Sequence, residues 1–202
     1  MNRFRESDLT LSFPPDWVVL KYDDSPAYQS VSGHGLKGVD FLALAPGGGL
    51  WFVEVKNYRP RYAGLREYRA HRRPPEALAR HVLRKFADSR RLVRIVDRAL
   101  RRRWWTRLQL WFLDRRPATP RPGNRLWFWT EAHRRLATPA NHRYVLWLET
   151  PETARDYDDA VAAALKSKLD PAEVRVLDTD SQHSFVPSPI HGSGPRSSAD
   201  TS

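Results

Sequence analysis

A mixed β-sheet flanked by helices, an α/β fold, is predicted by three observations in this 202-residue chain. Two apolar runs, Val39–Ala45 and Leu50–Val55, flank a Pro46-Gly47-Gly48-Gly49 turn, which is hairpin patterning. A long stretch from Glu76 to about Arg103 repeats apolar residues at helical spacing. Beyond it, Tyr144–Leu148 (YVLWL) reads as a buried strand that leads into a second amphipathic helix.

The elements follow in order. Residues 1–16 are mixed and end in a Phe13-Pro14-Pro15-Asp16 turn signal, and Trp17–Tyr22 is a short strand. Asp24 or Ser25 is placed to cap a brief helical turn with Pro26 early in it, and Ser30–Gly35 is a polar loop. The glycine run between the two apolar strands supplies positive φ at little steric cost. No GxGxxG or GxxxxGK[ST] pattern accompanies it and no helix follows, so it reads as a hairpin turn rather than a phosphate cradle.

Arg59 to Arg73 is basic and interleaved with Tyr62 and Tyr68, with Tyr58 just before it. Pro74-Pro75 then open the long helix, whose apolar stripe is Leu78, Val82, Phe86, Val93, Val96 and Leu100, completed by Ser89. Arg80, Arg84, Arg91, Arg94, Arg98 and Arg101 form a second stripe, either a solvated face or a face for a phosphate backbone. In 104–142, TRLQLWFLD extends the helix or forms a strand, Arg115–Gly123 is a Pro-rich break, and Asn124 caps a short helix through Arg135. Trp104, Trp105, Trp127 and Trp129 either stack on bases or pack a further layer onto the core, the commoner use of tryptophan. Thr150 as N-cap and Pro151 at the first position start a helix to about Leu169, with Tyr157, Val161, Ala164, Leu165 and Leu169 on its apolar face. Val174–Leu177 is the last strand. From Thr179 the composition turns to Ser, Pro, Gly and His without periodicity, so residues 179–202 are expected to be a disordered tail. Residues 1–178 are expected to form one domain, with 101–142 as an insertion or an added layer.

Composition narrows the function. No apolar run approaches the roughly 20 residues that span a bilayer, and MNRFRESDLTLSF lacks the apolar segment of a signal peptide. With no cysteine, disulfides and thiolate metal sites are excluded, and a cytoplasmic address is expected. The formal net charge of +11 points to a polyanionic partner, nucleic acid ahead of a membrane surface. The 34 basic residues are 28 Arg and 6 Lys, a bias that a GC-rich genome alone would also produce.

The chemistry concentrates in the hairpin. Asp40 lies in the first apolar run, and Glu54 and Lys56 lie at the end of the second. Alternation puts Glu54 and Lys56 on one face and Trp51, Val53 and Val55 on the other. Charges among apolar neighbours are costly unless they pair or hold a metal. Carboxylates from adjacent strands suit a hard divalent cation such as Mg²⁺ or Mn²⁺, with the Val55 carbonyl as a third oxygen ligand. Lys56 on the same face would position water or offset charge on a phosphate.

The pattern Val39-Asp40, 13 residues, Glu54-Val55-Lys56 resembles the PD-(D/E)XK nuclease superfamily, which has the restriction-endonuclease-like fold. The resemblance covers roughly Trp17 to Leu148, and the last helix and strand would be an addition. It implies an αβββαβ core with a mixed sheet, Mg²⁺-dependent hydrolysis of phosphodiester bonds, and DNA favoured over RNA as partner. It assigns Asp40 and Glu54 as metal ligands and Lys56 as the catalytic lysine. Val39 stands where the motif name has Pro, and the acid that many members carry on the first helix has Glu6, Asp23 and Asp24 as candidates, with Asp24 preferred. Lys37, Arg59, Arg61, Arg80 and Arg84 are the candidate nucleic-acid contacts. A homodimer is compatible with the resemblance, and a catalytically inactive nucleic-acid-binding module of the same fold is the alternative function. In a third reading the Asp40–Lys56 group is a buried ion-pair cluster with a structural role.

Overall fold

The computed structural model describes residues 2–22, 24–26, 29, 35–63, 66–68, 71–102, 104–114, 123–151, 155–170, 173–179 and 190–193. The expected Ser30–Gly35 loop falls outside them except for Gly35.

The chain opens with an antiparallel hairpin of β1 (Asn2–Glu6) and β2 (Leu9–Phe13), where only mixed residues were expected. Leu9, Leu11 and Phe13 alternate into the core. Ser7 and Asp8 join the strands with φ of 50° and 64°, the left-handed geometry that a two-residue hairpin turn requires. β3 (Val18–Lys21), β4 (Phe41–Leu44) and β5 (Leu50–Asn57) then form an antiparallel meander. Between β4 and β5, Pro46–Gly48 makes a 3-10 turn in which Gly47 and Gly48 take φ of 75° and 92°.

A small hairpin, β6 (Arg61–Ala63) and β7 (Arg66–Tyr68), precedes the 28-residue helix α1 (Pro75–Arg102). Two shorter helices follow, α2 (Trp104–Asp114) and α3 (Arg125–Leu136). The Asn124 side chain caps α3 by accepting the Trp127 N–H at 3.0 Å. β8 (His142–Glu149) pairs in parallel with β5, and after α4 (Arg155–Lys166) the strand β9 (Val174–Leu177) pairs in parallel with β8. The Thr150 hydroxyl donates to the Asp158 carboxylate, and the described helix starts at Arg155; the expected first turn after Thr150 falls on residues 152–154, outside the described residues.

The result is a five-stranded mixed sheet in the order β3-β4-β5-β8-β9. One face carries α1, α3 and α4 on a core that includes Leu42, Phe52, Leu78, Val82, Phe86, Tyr144, Leu146 and Val161. The other face carries β1 and β2, against Phe41, Trp51, Val53, Val55 and Trp147. Val53 and Val55 therefore do point into a core as expected, but the face bearing Glu54 is also covered, by the helices. The mixed sheet flanked by helices agrees with the expected α/β class, and between β5 and β8 stand the β6–β7 hairpin and the helices α1, α2 and α3. The leading helix of the expected core has no counterpart in residues 2–22, where the hairpin stands.

The expectation for the tail is corrected in part. Thr179 donates its N–H to Glu149 at 2.9 Å, Ile190 is fully buried, and β10 (His191–Ser193) adds to the edge of β2. The tryptophans divide: Trp127 and Trp129 are buried in the helix-side core, whereas Trp104 and Trp105 are exposed. No helix among the described residues is long and apolar enough to cross a membrane.

Candidate active site

Asp40 sits one residue before β4, directly across from Glu54 when the β4–β5 register is continued. Its backbone carbonyl accepts the Tyr22 N–H at 2.9 Å, and its carboxylate accepts the Val55 N–H at 2.7 Å, taking the place of a ladder bond. Gly38 makes this approach possible, because a Cβ there would lie 2.4 Å from the Tyr22 ring. Glu54 projects from β5 towards the helices, and its side chain is wholly buried. Lys56, on the same face and a quarter exposed, donates to Glu54 Oε1 at 2.5 Å and to the Val55 carbonyl at 3.1 Å. Asp40, Glu54, Val55 and Lys56 thus converge as the sequence pattern predicts.

A fifth member comes from α1. Lys85 Nζ donates to both oxygens of Glu54, at 2.7 and 2.8 Å, and lies 3.5 Å from Asp40 Oδ1. Two carboxylates face two ammonium groups, so the cluster is formally neutral. Sequence reading missed Lys85, although a signal was present. The positions 78, 82, 85, 89, 92 and 96 alternate by four and three, the spacing of one buried helix face, and Lys85 is the only ionisable residue among them.

The electrostatics follow from this packing. Burial, and then the charge of Glu54, push the Asp40 carboxyl up to about 6, outweighing Lys85, Lys56 and the Val55 N–H. Burial alone would favour neutral Lys85, but Glu54 and Asp40 overcome it and hold the ammonium above its ordinary value. Burial also lowers His81, one helical turn before Lys85, as do the charges of Arg73, Lys56, Lys85 and Lys37. Arg73, Lys56, Lys85 and Lys37 thus act together on His81 and disfavour its charged form. Tyr58, raised chiefly by burial, stays a neutral hydroxyl.

The other expected residues divide. Lys37 is exposed, and its backbone N–H donates to the Asp88 carboxylate at 3.2 Å. Arg59 is engaged in structure, 2.8 Å from Glu149, whose side chain is fully buried. The Arg61 side chain lies outside the described residues, and Arg80 and Arg84 are exposed on α1. Asp24 is exposed, Glu6 pairs with Lys21 at 3.1 Å, and Asp23 lies outside the described residues. Among the described residues no third His, Asp or Glu joins Asp40 and Glu54 in a metal-holding group.

All available donors are oxygens: the carboxylates of Asp40 and Glu54 and the carbonyl of Val55. Burial, more than the Glu54 charge, is what raises Asp40, and a cation beside the two carboxylates would favour their charged forms. This set fits one hard cation that keeps water in most of its shell, on the condition that Lys85 withdraws from Glu54. No protein-family model matches the chain, and no curated protein or solved structure matches it significantly.

Proposed function

We propose that the chain is a divalent-metal-dependent nuclease of the restriction-endonuclease-like fold, acting on phosphodiester bonds and most suited to DNA. The observation that carries this reading is the meeting of Asp40, Glu54, the Val55 carbonyl and Lys56 at one site from which Lys56 reaches solvent. The charges of Lys37, Arg73, Lys56 and Lys85, which all act on His81 one turn from Lys85, support it, because a phosphodiester brings negative charge that such groups would hold.

Mg²⁺ or Mn²⁺ held by Asp40, Glu54 and Val55 would supply Lewis acidity and a more acidic bound water. The chain's own residues do the rest. Lys56, as an ammonium, does not take a proton from water. It offsets charge that grows on the phosphoryl oxygens as the new P–O bond forms and the old one breaks. The Val55 N–H fixes one oxygen of Asp40, leaving the other directed at the site.

A second reading, a non-catalytic nucleic-acid-binding module of the same fold, is favoured by one observation. Lys85 already balances Glu54, as it would in a permanent ion-pair cluster. Incubating the protein with supercoiled, linear and single-stranded DNA and with RNA, in Mg²⁺, Mn²⁺ or chelator, separates the two. Metal-dependent cleavage that disappears in folded Asp40→Ala and Lys56→Ala is the expected result. Salt-sensitive binding without cutting on any substrate would replace the nuclease reading with the binding module.

A further inference from the structure

The most unusual surface among the described residues is on α2. Trp104, Trp105, Leu108, Trp111 and Phe112 are between 44% and 63% exposed. At 100° per residue they fall within about 120° of one another, so they form one continuous apolar face. The rings of Trp104 and Trp105 stack with centroids 3.7 Å apart, which leaves their outer faces open. Contiguous exposed apolar faces mark interaction sites.

The partner's identity is argued from the charge that leads to this face. Arg80, Arg84, Arg91, Arg94 and Arg98 are all exposed on α1. On a helical wheel they lie within about 80° of one another, and Arg80 to Arg98 spans about 27 Å along the axis. The line passes the candidate site, where Arg84 directly precedes Lys85, and ends six residues before Trp104, the first residue of α2. A line of charge fits a linear polyanion. Cations at the end of the apolar face, as Arg101 and Arg102 are, would also suit a membrane surface. The exposed arginine line, however, runs back along α1 for about 27 Å, away from that face, which a linear partner follows and a flat apolar surface does not need. The aromatic face further selects a polyanion whose bases are free to stack. A duplex keeps its bases inside and would gain nothing from exposed indoles.

We propose that α1 and α2 form a track for single-stranded nucleic acid. Phosphates follow the arginine line away from the carboxylate–lysine site, and bases stack on Trp104, Trp105 and Trp111. At 3.4 Å per stacked nucleotide the arginine line spans about eight nucleotides, fewer if the strand is extended. The inference rests on the nucleic-acid part of the function proposed above, and it adds a strand preference to it.

The test uses the full chain in chelator, where no cleavage occurs, with labelled (dT)20, a 20-base-pair duplex, and vesicles containing phosphatidylserine. Trp104→Ala with Trp111→Ala, both exposed positions, is expected to weaken (dT)20 binding by about tenfold or more while changing duplex binding less than twofold. Arg94→Ala with Arg98→Ala is expected to lower the salt dependence of (dT)20 binding, which the tryptophan variant leaves unchanged. Equal loss on both nucleic acids, binding to vesicles ahead of (dT)20, or a wild-type dimer that the tryptophan variant dissociates would each overturn the proposal. Stacking that survives in a protein that never cleaves would sink the nuclease reading alone, whereas cleavage with unimpaired (dT)20 binding by the variant would sink the track alone.

Discussion

Lys85 holds both oxygens of Glu54 and approaches Asp40, so its ammonium competes for the ligands that a divalent cation would use. One unit charge about 4 Å away is worth about 1 to 4 kcal/mol between bulk water and a near-surface dielectric. Lys85→Met is therefore expected to tighten Mn²⁺ binding by about tenfold or more in a calorimetric titration, while lowering stability in chelator. A purely structural lysine would lower stability and leave Mn²⁺ affinity unchanged or weaker, and that outcome would refute the competition. Asp40 gives a second prediction at this scale. Its carboxyl is raised from 3.8 to about 6, so between those values the folded state binds a proton that the unfolded chain has released. Stability from this group is therefore present at low pH and lost as pH rises through about 6. Asp40→Asn keeps an acceptor for the Val55 N–H without the charge. Measured by urea unfolding in chelator, it should gain on the wild type by up to about 3 kcal/mol between pH 4 and pH 7. A pH-independent difference, or one that shrinks as pH rises, would show that Asp40 is not held up by burial and Glu54.

Elements position these side chains through a few specific bonds. Ser89 sits at the centre of α1's buried face, where its hydroxyl accepts the Val39 N–H at 2.9 Å. Its backbone carbonyl accepts the Tyr22 hydroxyl at 3.3 Å. Both ties fasten α1 to the chain on either side of the loop that delivers Asp40. Ser89→Ala leaves the Val39 N–H buried without a partner, and should cost about 1 to 3 kcal/mol in urea unfolding. Because Val39 adjoins Asp40, Mn²⁺ affinity should fall with it, and an unaffected affinity would show that the tie does not position the site. Arg135 acts similarly on the turn between β4 and β5, donating to the carbonyls of Ala45 at 2.6 Å and Gly49 at 2.7 Å. How legible each element was depended on the range of the interactions that define it. The β4–β5 hairpin and α1 were readable, because glycines and periodicity are local signals. Asp40, Glu54 and Lys56 were readable because charge interrupts apolar strands. The β1–β2 hairpin was not, since Ser7-Asp8 adopts positive φ without the Gly or Asn that usually announces it. Lys85 was hidden because tracing the stripe through Phe86 passed over the neighbouring position, and its partners are on another element.

At the scale of the whole molecule, the central sheet is buried on both faces, and only one face carries the candidate site. The helix side holds Glu54, Lys56 and Lys85, and the opposite side holds Val53, Val55 and Trp147 under β1 and β2. That second layer depends on both ends of the chain. Ile190 is fully buried among Leu9, Leu11 and Phe13's cluster, and β10 beside it pairs with β2. Pairing across nearly the whole sequence carries no local pattern, which is why a three-residue strand in a Ser/Pro/Gly-rich stretch was not readable. Burial makes the closure measurable. Ile190→Ala removes buried methyl groups and leaves a cavity, so it should cost about 2 to 5 kcal/mol in urea unfolding. The carboxylates and lysines face the other side of the sheet, so Mn²⁺ affinity of the folded variant should stay within twofold of the wild type. A variant as stable as the wild type would show that the C-terminal segment does not close this layer. A loss of Mn²⁺ affinity in step with stability would show that the two faces are coupled through β5, the strand that supplies Val55 to one core and Glu54 to the site.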